Sequence, residues 1–207
     1  MCQQLIISLQ LLIMKTFTKL LLPLLILAMP LVRAQSTYVI APSAEFTIKG
    51  TSNVHDWDET IQKATGNGSF SMNDDGSMNI LSVQVTIQCK DIKSTHGSIM
   101  DNKTYEALKA EKNPTITYKL LSPVNNINPS TAGTSIAAKG QVTIAGVTKA
   151  IDLQVKVQSG PSGSLIFEGS KTLKMTDFGV SPPTAFMGAM KVGDEVVVKF
   201  KATMLPR

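Results

Sequence analysis

The densest run of chemically capable side chains in this 207-residue chain is Gly50-Thr51-Ser52-Asn53-Val54-His55-Asp56-Trp57-Asp58. An imidazole among carboxylates is the raw material of a general base or of half a metal site. On an extended segment adjacent side chains point to opposite faces, so His55 and Asp56 cannot both address one substrate. The other histidine, His96, sits beside a glycine in a loop, and zinc needs three or four ligands that this spacing does not supply. No metal and no cofactor is therefore expected. His55 and Trp57 read either as a structured loop or as the rim of a pocket that touches a polar head group. Met175-Thr176-Asp177-Phe178-Gly179 carries the letters of the kinase metal-binding triplet, but the glycine-rich phosphate loop and the catalytic loop are absent. Asp177 reads as a turn cap with Phe178 tucked inward. No nucleophile elbow is present, and no catalytic residue is assigned.

A different chemistry is offered by Ser181-Pro182-Pro183-Thr184-Ala185-Phe186-Met187-Gly188-Ala189-Met190. Prolines and glycine make this a loop, yet Phe186, Met187 and Met190 need somewhere dry to go. They either plug one end of the fold or line the entrance to a greasy tunnel, a task suited to methionine's flexibility.

The elements that must hold these residues are strands. From Ile151 to Val157 and from Val196 to Phe200 every second residue is apolar, and the beat recurs at Phe46 and Ile48, at Val83 to Cys89, and at Ile116, Tyr118 and Leu120. Strict alternation marks a strand with one dry and one wet face. Expected strands are Tyr38 to Gly50, Thr60 to Met72, Ile80 to Lys90, Thr115 to Leu121, Ser135 to Ile144, Val147 to Gln158, Leu165 to Met175 and Glu195 to Met204. Ala145-Gly146 and Ser159 to Gly163 are hairpin links, and Asn125 to Gly133 is a polar loop. The period changes once: Ile99, Met100, Tyr105 and Leu108 form a helical stripe, and Asn113-Pro114 ends it. About eight strands and one helix describe an all-β barrel or sandwich. The inward set is Ile151, Leu153, Val155, Val196, Val198 and Phe200; Asp152, Gln154, Lys156 and Lys199 face water.

Residues 1–34 read as a secretory signal, with Lys15 and Lys19 ahead of an apolar run and cleavage after Ala34; residues 1–13 read as an upstream extension that need not be used. The mature chain, 35–207, is expected in the periplasm. The formal charge of +5 belongs largely to that leader: without Lys15, Lys19 and Arg33 the count is 17 basic against 15 acidic residues. A nucleic-acid partner gains no support from such a balance. Losing Cys2 leaves Cys89 alone, so no internal disulfide can form, and its place on an apolar beat marks a buried, inert thiol. Aromatic residues make up only 5% of the chain, which favours a lumen over a plugged interior.

Three stretches in order, NKTYEALKAEKNPTITYKL from Asn102, GQVTIAGVTKAIDLQVKV from Gly140 and MTDFGVSPPTAFMGAMKVGDEVVVKFKATM from Met175, make residues 38–205 resemble the YceI-like family of exported, lipocalin-like lipid-binding proteins. The resemblance implies an eight-stranded antiparallel barrel with a helix at its side or mouth. It also implies a tunnel for a polyisoprenoid or similar amphiphile, such as a quinone, a polyprenyl phosphate or a fatty amide. On that basis the cavity is expected to be lined by Phe46, Ile48, Val85, Ile116, Tyr118, Leu153, Val155 and Phe200. Met100, Tyr105, Phe186, Met187 and Met190 are expected at its mouth, with His55 and Trp57 near the head group. The expected partner is an apolar lipid, with a homodimer left open. The competing readings are a small envelope enzyme using His55 and a carboxylate, and a structural barrel acting through a protein partner.

Overall fold

The computed structural model describes residues 35–185 and 189–207; the expected leader and three of the loop residues, Phe186, Met187 and Gly188, lie outside them. The strands are β1 (Gln35–Ile40), β2 (Glu45–Ser52), β3 (Trp57–Ile61), β4 (Ala64–Met72), β5 (Met78–Gln88), β6 (Ile92–Ser94), β7 (Thr115–Leu120), β8 (Val124–Ile127), β9 (Thr134–Ile144), β10 (Val147–Ser159), β11 (Leu165–Lys174), β12 (Thr184–Ala185) and β13 (Met190–Pro206). One α-helix is described, α1 (Ser98–Ala107).

The strand ladders are antiparallel and close into an eight-stranded ring, β1-β4-β5-β7-β9-β10-β11-β13 and back to β1 through Tyr38 opposite Pro206. Closure removes the exposed sheet edge that an open sheet of this length would present. The seventeen residues of β13 serve two partners in turn, with Met204 to Pro206 on β1 and Val192 to Lys201 on β2. Thus β1 and β2 are two halves of one bent strand, broken at 41–44, where Pro42 has no N–H to give to a ladder. The chain breaks in the same way between β3 and β4 and, through a 3-10 turn at Cys89–Asp91, between β5 and β6. Expected single strands at Tyr38 to Gly50 and Thr60 to Met72 are each two segments, and β8 arises inside the stretch read as a polar loop.

Bending has a consequence at the upper rim. There the pairing runs from β13 through β2 and β3 to β6, and β6 pairs only with β3, leaving a gap before β7. Helix α1 fills it. The Asp101 carboxylate accepts the Ser94 backbone N–H at 2.8 Å and pairs with Lys93 at 3.2 Å. Those contacts hold the Asp101 carboxyl below its ordinary range, the backbone hydrogen bond contributing most. A second seam opens where β10 and β11 part above Val155 opposite Gly169. The 3-10 turn Thr176–Phe178 covers that side, with Phe178 buried against Val142, Ala145 and Val180. Its cap is Asp194 rather than Asp177: Thr176 donates its N–H and hydroxyl to the Asp194 carboxylate at 2.9 and 2.7 Å. Asp177 instead pairs with Lys149 at 3.7 Å.

Period-two alternation sets the facing of the wall. Leu153, Val155 and Val157 are buried between exposed Asp152, Gln154 and Lys156, and exposed Lys199 separates Val198 from Phe200. The lower end is solid, with Phe70, Met78, Val157 and Leu165 buried and Tyr38 meeting Phe70 edge-on at 4.7 Å. Cys89 is buried, its thiol pushed up by loss of solvent and 3.4 Å from the Asn113 carbonyl.

Candidate functional site

Above that floor lies a cavity of roughly 300 Å3. Seven of the eight ring strands contribute inward residues, β4 being the exception: Ile40, Val85, Ile116, Tyr118, Val142, Leu153, Phe167 and Phe200 are among them. The volume stands at the small end of the range for small-molecule sites. Two glycines help to keep the lumen open. Gly50 stands opposite Trp57 and Gly169 opposite Phe200. A Cβ on Gly50 would lie 2.3 Å from the Trp57 ring, and one on Gly169 would lie 2.7 Å from the Phe200 ring. Each aromatic ring therefore lies flat on a neighbouring backbone instead of standing in the lumen. Trp57 is fixed further by donating its indole N–H to the Thr51 carbonyl at 3.1 Å.

The helix closes one side through Met100, Lys103, Thr104, Ala107 and Leu108, a spacing of three and four residues that puts all five on one face. Opposite, the mouth is edged by Lys171, Leu173, Lys174, Met175, Phe178, Val180 and Pro183. Polar groups are few in this wall. Glu59 is 4% exposed, and its carboxylate accepts a short hydrogen bond from the Thr104 hydroxyl. Burial pushes the Glu59 carboxyl above its ordinary range, and nearby Asp101 and Asp58 add to the rise against the opposing Thr104 hydrogen bond. The Tyr118 phenol is likewise raised by burial.

A sequence profile of the YceI-like domain matches residues 33–204. The chain belongs to the YceI-like family. UPF0312 proteins of Pseudomonas aeruginosa are 31% identical to it over 119 residues, which is 55% of this chain and 59% of theirs; the match thus spans less than two thirds of those relatives. A polyisoprenoid binding domain from Saccharophagus degradans superposes with a TM-score of 0.66 at 12% identity, covering 84% of this chain and all of that one. Burkholderia cenocepacia BcnA gives 0.56 at 19% identity over 77% of this chain and 95% of its own. Campylobacter jejuni YCEI protein gives 0.53 at 20% identity over 72% and 84%. At these identities the structures speak for the barrel fold.

In this YceI-like barrel, ten residues singled out in the sequence meet at the cavity: Phe46, Ile48, Trp57, Val85, Met100, Ile116, Tyr118, Leu153, Val155 and Phe200. Three do not. His55 lies in the exposed loop between β2 and β3, its ring 5.4 Å from that of His96, and it is not part of the cavity wall. Tyr105 is off the lumen face of α1, where its hydroxyl donates to the Lys90 and Ile92 carbonyls at 3.0 and 2.9 Å and so ties helix to sheet. Met190 pairs with Ala185 in a small ribbon beyond the last β2 partner, Val192, which places it past the rim. Phe186 and Met187 fall outside the described residues. Ile99, assigned to the helical stripe, is 76% exposed.

Sequence reasoning missed Glu59, Thr104, Lys103 and Lys171 as wall residues. For Glu59 the signal was present: Trp57, Glu59 and Ile61 keep the inward beat, with a carboxylate at its centre. Lys171 likewise falls on the beat of Phe167, Gly169 and Leu173.

Proposed function

We propose that this YceI-like protein is a non-catalytic carrier or sequestering protein that holds a polyisoprenoid or similar long-chain amphiphile in its lumen after export to the periplasm. One observation carries the reading: a barrel closed at the floor encloses a cavity whose wall is almost wholly apolar side chains. Each Å2 of apolar guest taken out of water is worth roughly 25 cal/mol, so a chain molecule can be held without any charged contact. The polyisoprenoid-binding description of the Saccharophagus degradans domain supports the same class of guest. His55 stands beside His96 and off the cavity wall, away from where an apolar guest would lie. A purely structural barrel would need a filled interior, and this one is hollow.

The test is Leu153→Trp. Leu153 is buried on the cavity wall, so an indole there takes the space a guest would occupy. Lipid extracted from the purified protein and identified by mass spectrometry should be present in the parent and lost in the folded variant. Retained lipid in a folded Leu153→Trp protein would mean that the guest does not occupy the lumen. For export, N-terminal sequencing of the periplasmic fraction should begin at Gln35; a chain retaining Lys15 on the membrane would overturn that part.

A further inference from the structure

The inward faces carry a carboxyl and an ammonium side chain on one cross-strand row. Following the antiparallel register around the ring, Lys171 stands opposite Val198, Val198 opposite Ile48, and Ile48 opposite Glu59. The level above reads Leu173, Val196, Gly50 and Trp57; the level below reads Gly169, Phe200 and Phe46. Directly paired residues share a face, so Glu59 and Lys171 form one polar level between two apolar ones. Their circumstances differ. The Lys171 ammonium donates to the Asp152 carbonyl at 2.9 Å, bridging the seam where β10 and β11 part. The carboxyl of Glu59 has one oxygen on Thr104, and the residue lines the cavity.

Resting on the lumen being the binding site, we propose that Glu59, held by Thr104, is the head-group station, and that it selects amphiphiles whose head is an uncharged oxygen acceptor over those ending in phosphate. The surroundings of Glu59 are acidic, with Asp58 on its own strand and Asp101 on α1. Of the ammonium groups on the neighbouring elements, that of Lys93 pairs with Asp101 at 3.2 Å and that of Lys103 with Glu106 at 3.2 Å. Burial and acidic neighbours favour the protonated carboxylic acid, which has an O–H to donate. An alcohol or carbonyl oxygen can accept that hydrogen bond. A phosphate brings a second anion into a desolvated, acidic corner and loses its own hydration there. The tail then runs down from this level past Phe46 and Phe200 toward the floor.

The experiment uses the delipidated full chain and two probes with one tail, geranylgeraniol and geranylgeranyl phosphate. Trp57 is the sole tryptophan and lines the cavity, so a shift in its emission reports occupancy directly. The alcohol should bind about tenfold more tightly than the phosphate, the scale of one well-placed hydrogen bond to a buried group. Glu59→Ala should erase that preference by weakening the alcohol, while Glu59→Gln, which keeps the shape and a donor, should retain it. Equal or tighter binding of the phosphate by the parent, or an undiminished preference in Glu59→Ala, overturns the head-group assignment and leaves the carrier reading standing. If neither probe binds the parent, the carrier reading falls and this inference with it.

Discussion

The two ends of the barrel are built from the same strands and the same alternation, yet one is solid and the other hollow. At the floor Tyr38, Phe70, Met78, Val157 and Leu165 meet side chain to side chain, and the ring closes through β1 and β13. In the upper half the inward aromatics Trp57 and Phe200 face glycines across the strand and lie against the wall. The ring is also incomplete there, and α1 and the turn Thr176–Phe178 stand where strand pairing stops. Alternation decides which way a side chain points. Whether the interior fills depends on what stands opposite each large residue.

The sharpest way to break this contrast is to truncate one large residue in each half. Phe70 is 2% exposed and packs edge-on against Tyr38, so Phe70→Ala should cost about 3–5 kcal/mol, the usual price of emptying an aromatic site in a packed core. Ile48→Ala removes a side chain that packs on Phe46 and its neighbours on one side and borders open space on the other, and should cost less, about 2 kcal/mol, the low end for such a truncation. Urea unfolding of the two variants measures both. Similar losses at the two sites would mean that the upper half is as well packed as the floor, and the distinction would collapse.

Next in size is the glycine backing. Gly50→Ala puts a methyl group 2.3 Å from the Trp57 ring, which must swing toward the lumen. The expected cost is about 1–3 kcal/mol of stability from overpacking. Lipid uptake should fall as well, with a shift in Trp57 emission. A Gly50→Ala protein that is destabilised but binds lipid normally would show that the flat ring is not what keeps the cavity open.

The facing of the wall was legible in the sequence because it is a local property: the dry and wet sets around Leu153 and Phe200 need nothing but a count of two. The helix shows where that kind of reading fails. Hydropathy picked Ile99, Met100, Tyr105 and Leu108, whereas the lumen face is Met100, Lys103, Thr104, Ala107 and Leu108. Ile99 is exposed and Tyr105 spends its hydroxyl on β6, while Thr104 turns inward because Glu59 is there to accept its hydroxyl. That partner lies 45 residues away in the chain. The same holds for the shared row of Glu59 and Lys171, which depends on the pairing of β13 with both β11 and β2, two long-range registers that no local pattern encodes. The strand break at 89–91 was illegible for a related reason, since it answers to where α1 lies, whereas Pro42 marked the one at 41–44.

The smallest expected effect tests that inward carboxyl by its proton. The folded state holds the Glu59 carboxyl above its ordinary value of 4.5, mainly by desolvation. Between the ordinary and the raised value the folded protein keeps a proton that the unfolded chain has released, so stability falls as pH rises through that window and then levels off. Glutamine cannot ionise and escapes the fall. The difference in urea midpoint between Glu59→Gln and the parent should therefore move in favour of the variant as pH is raised from about 4 toward 8, and should be least favourable to it at the acid end. A drift in the opposite direction would mean that Glu59 is stabilised as a carboxylate in the folded barrel. The wall would then carry an anion at Glu59, and the upper half would differ from the floor in charge as well as in packing.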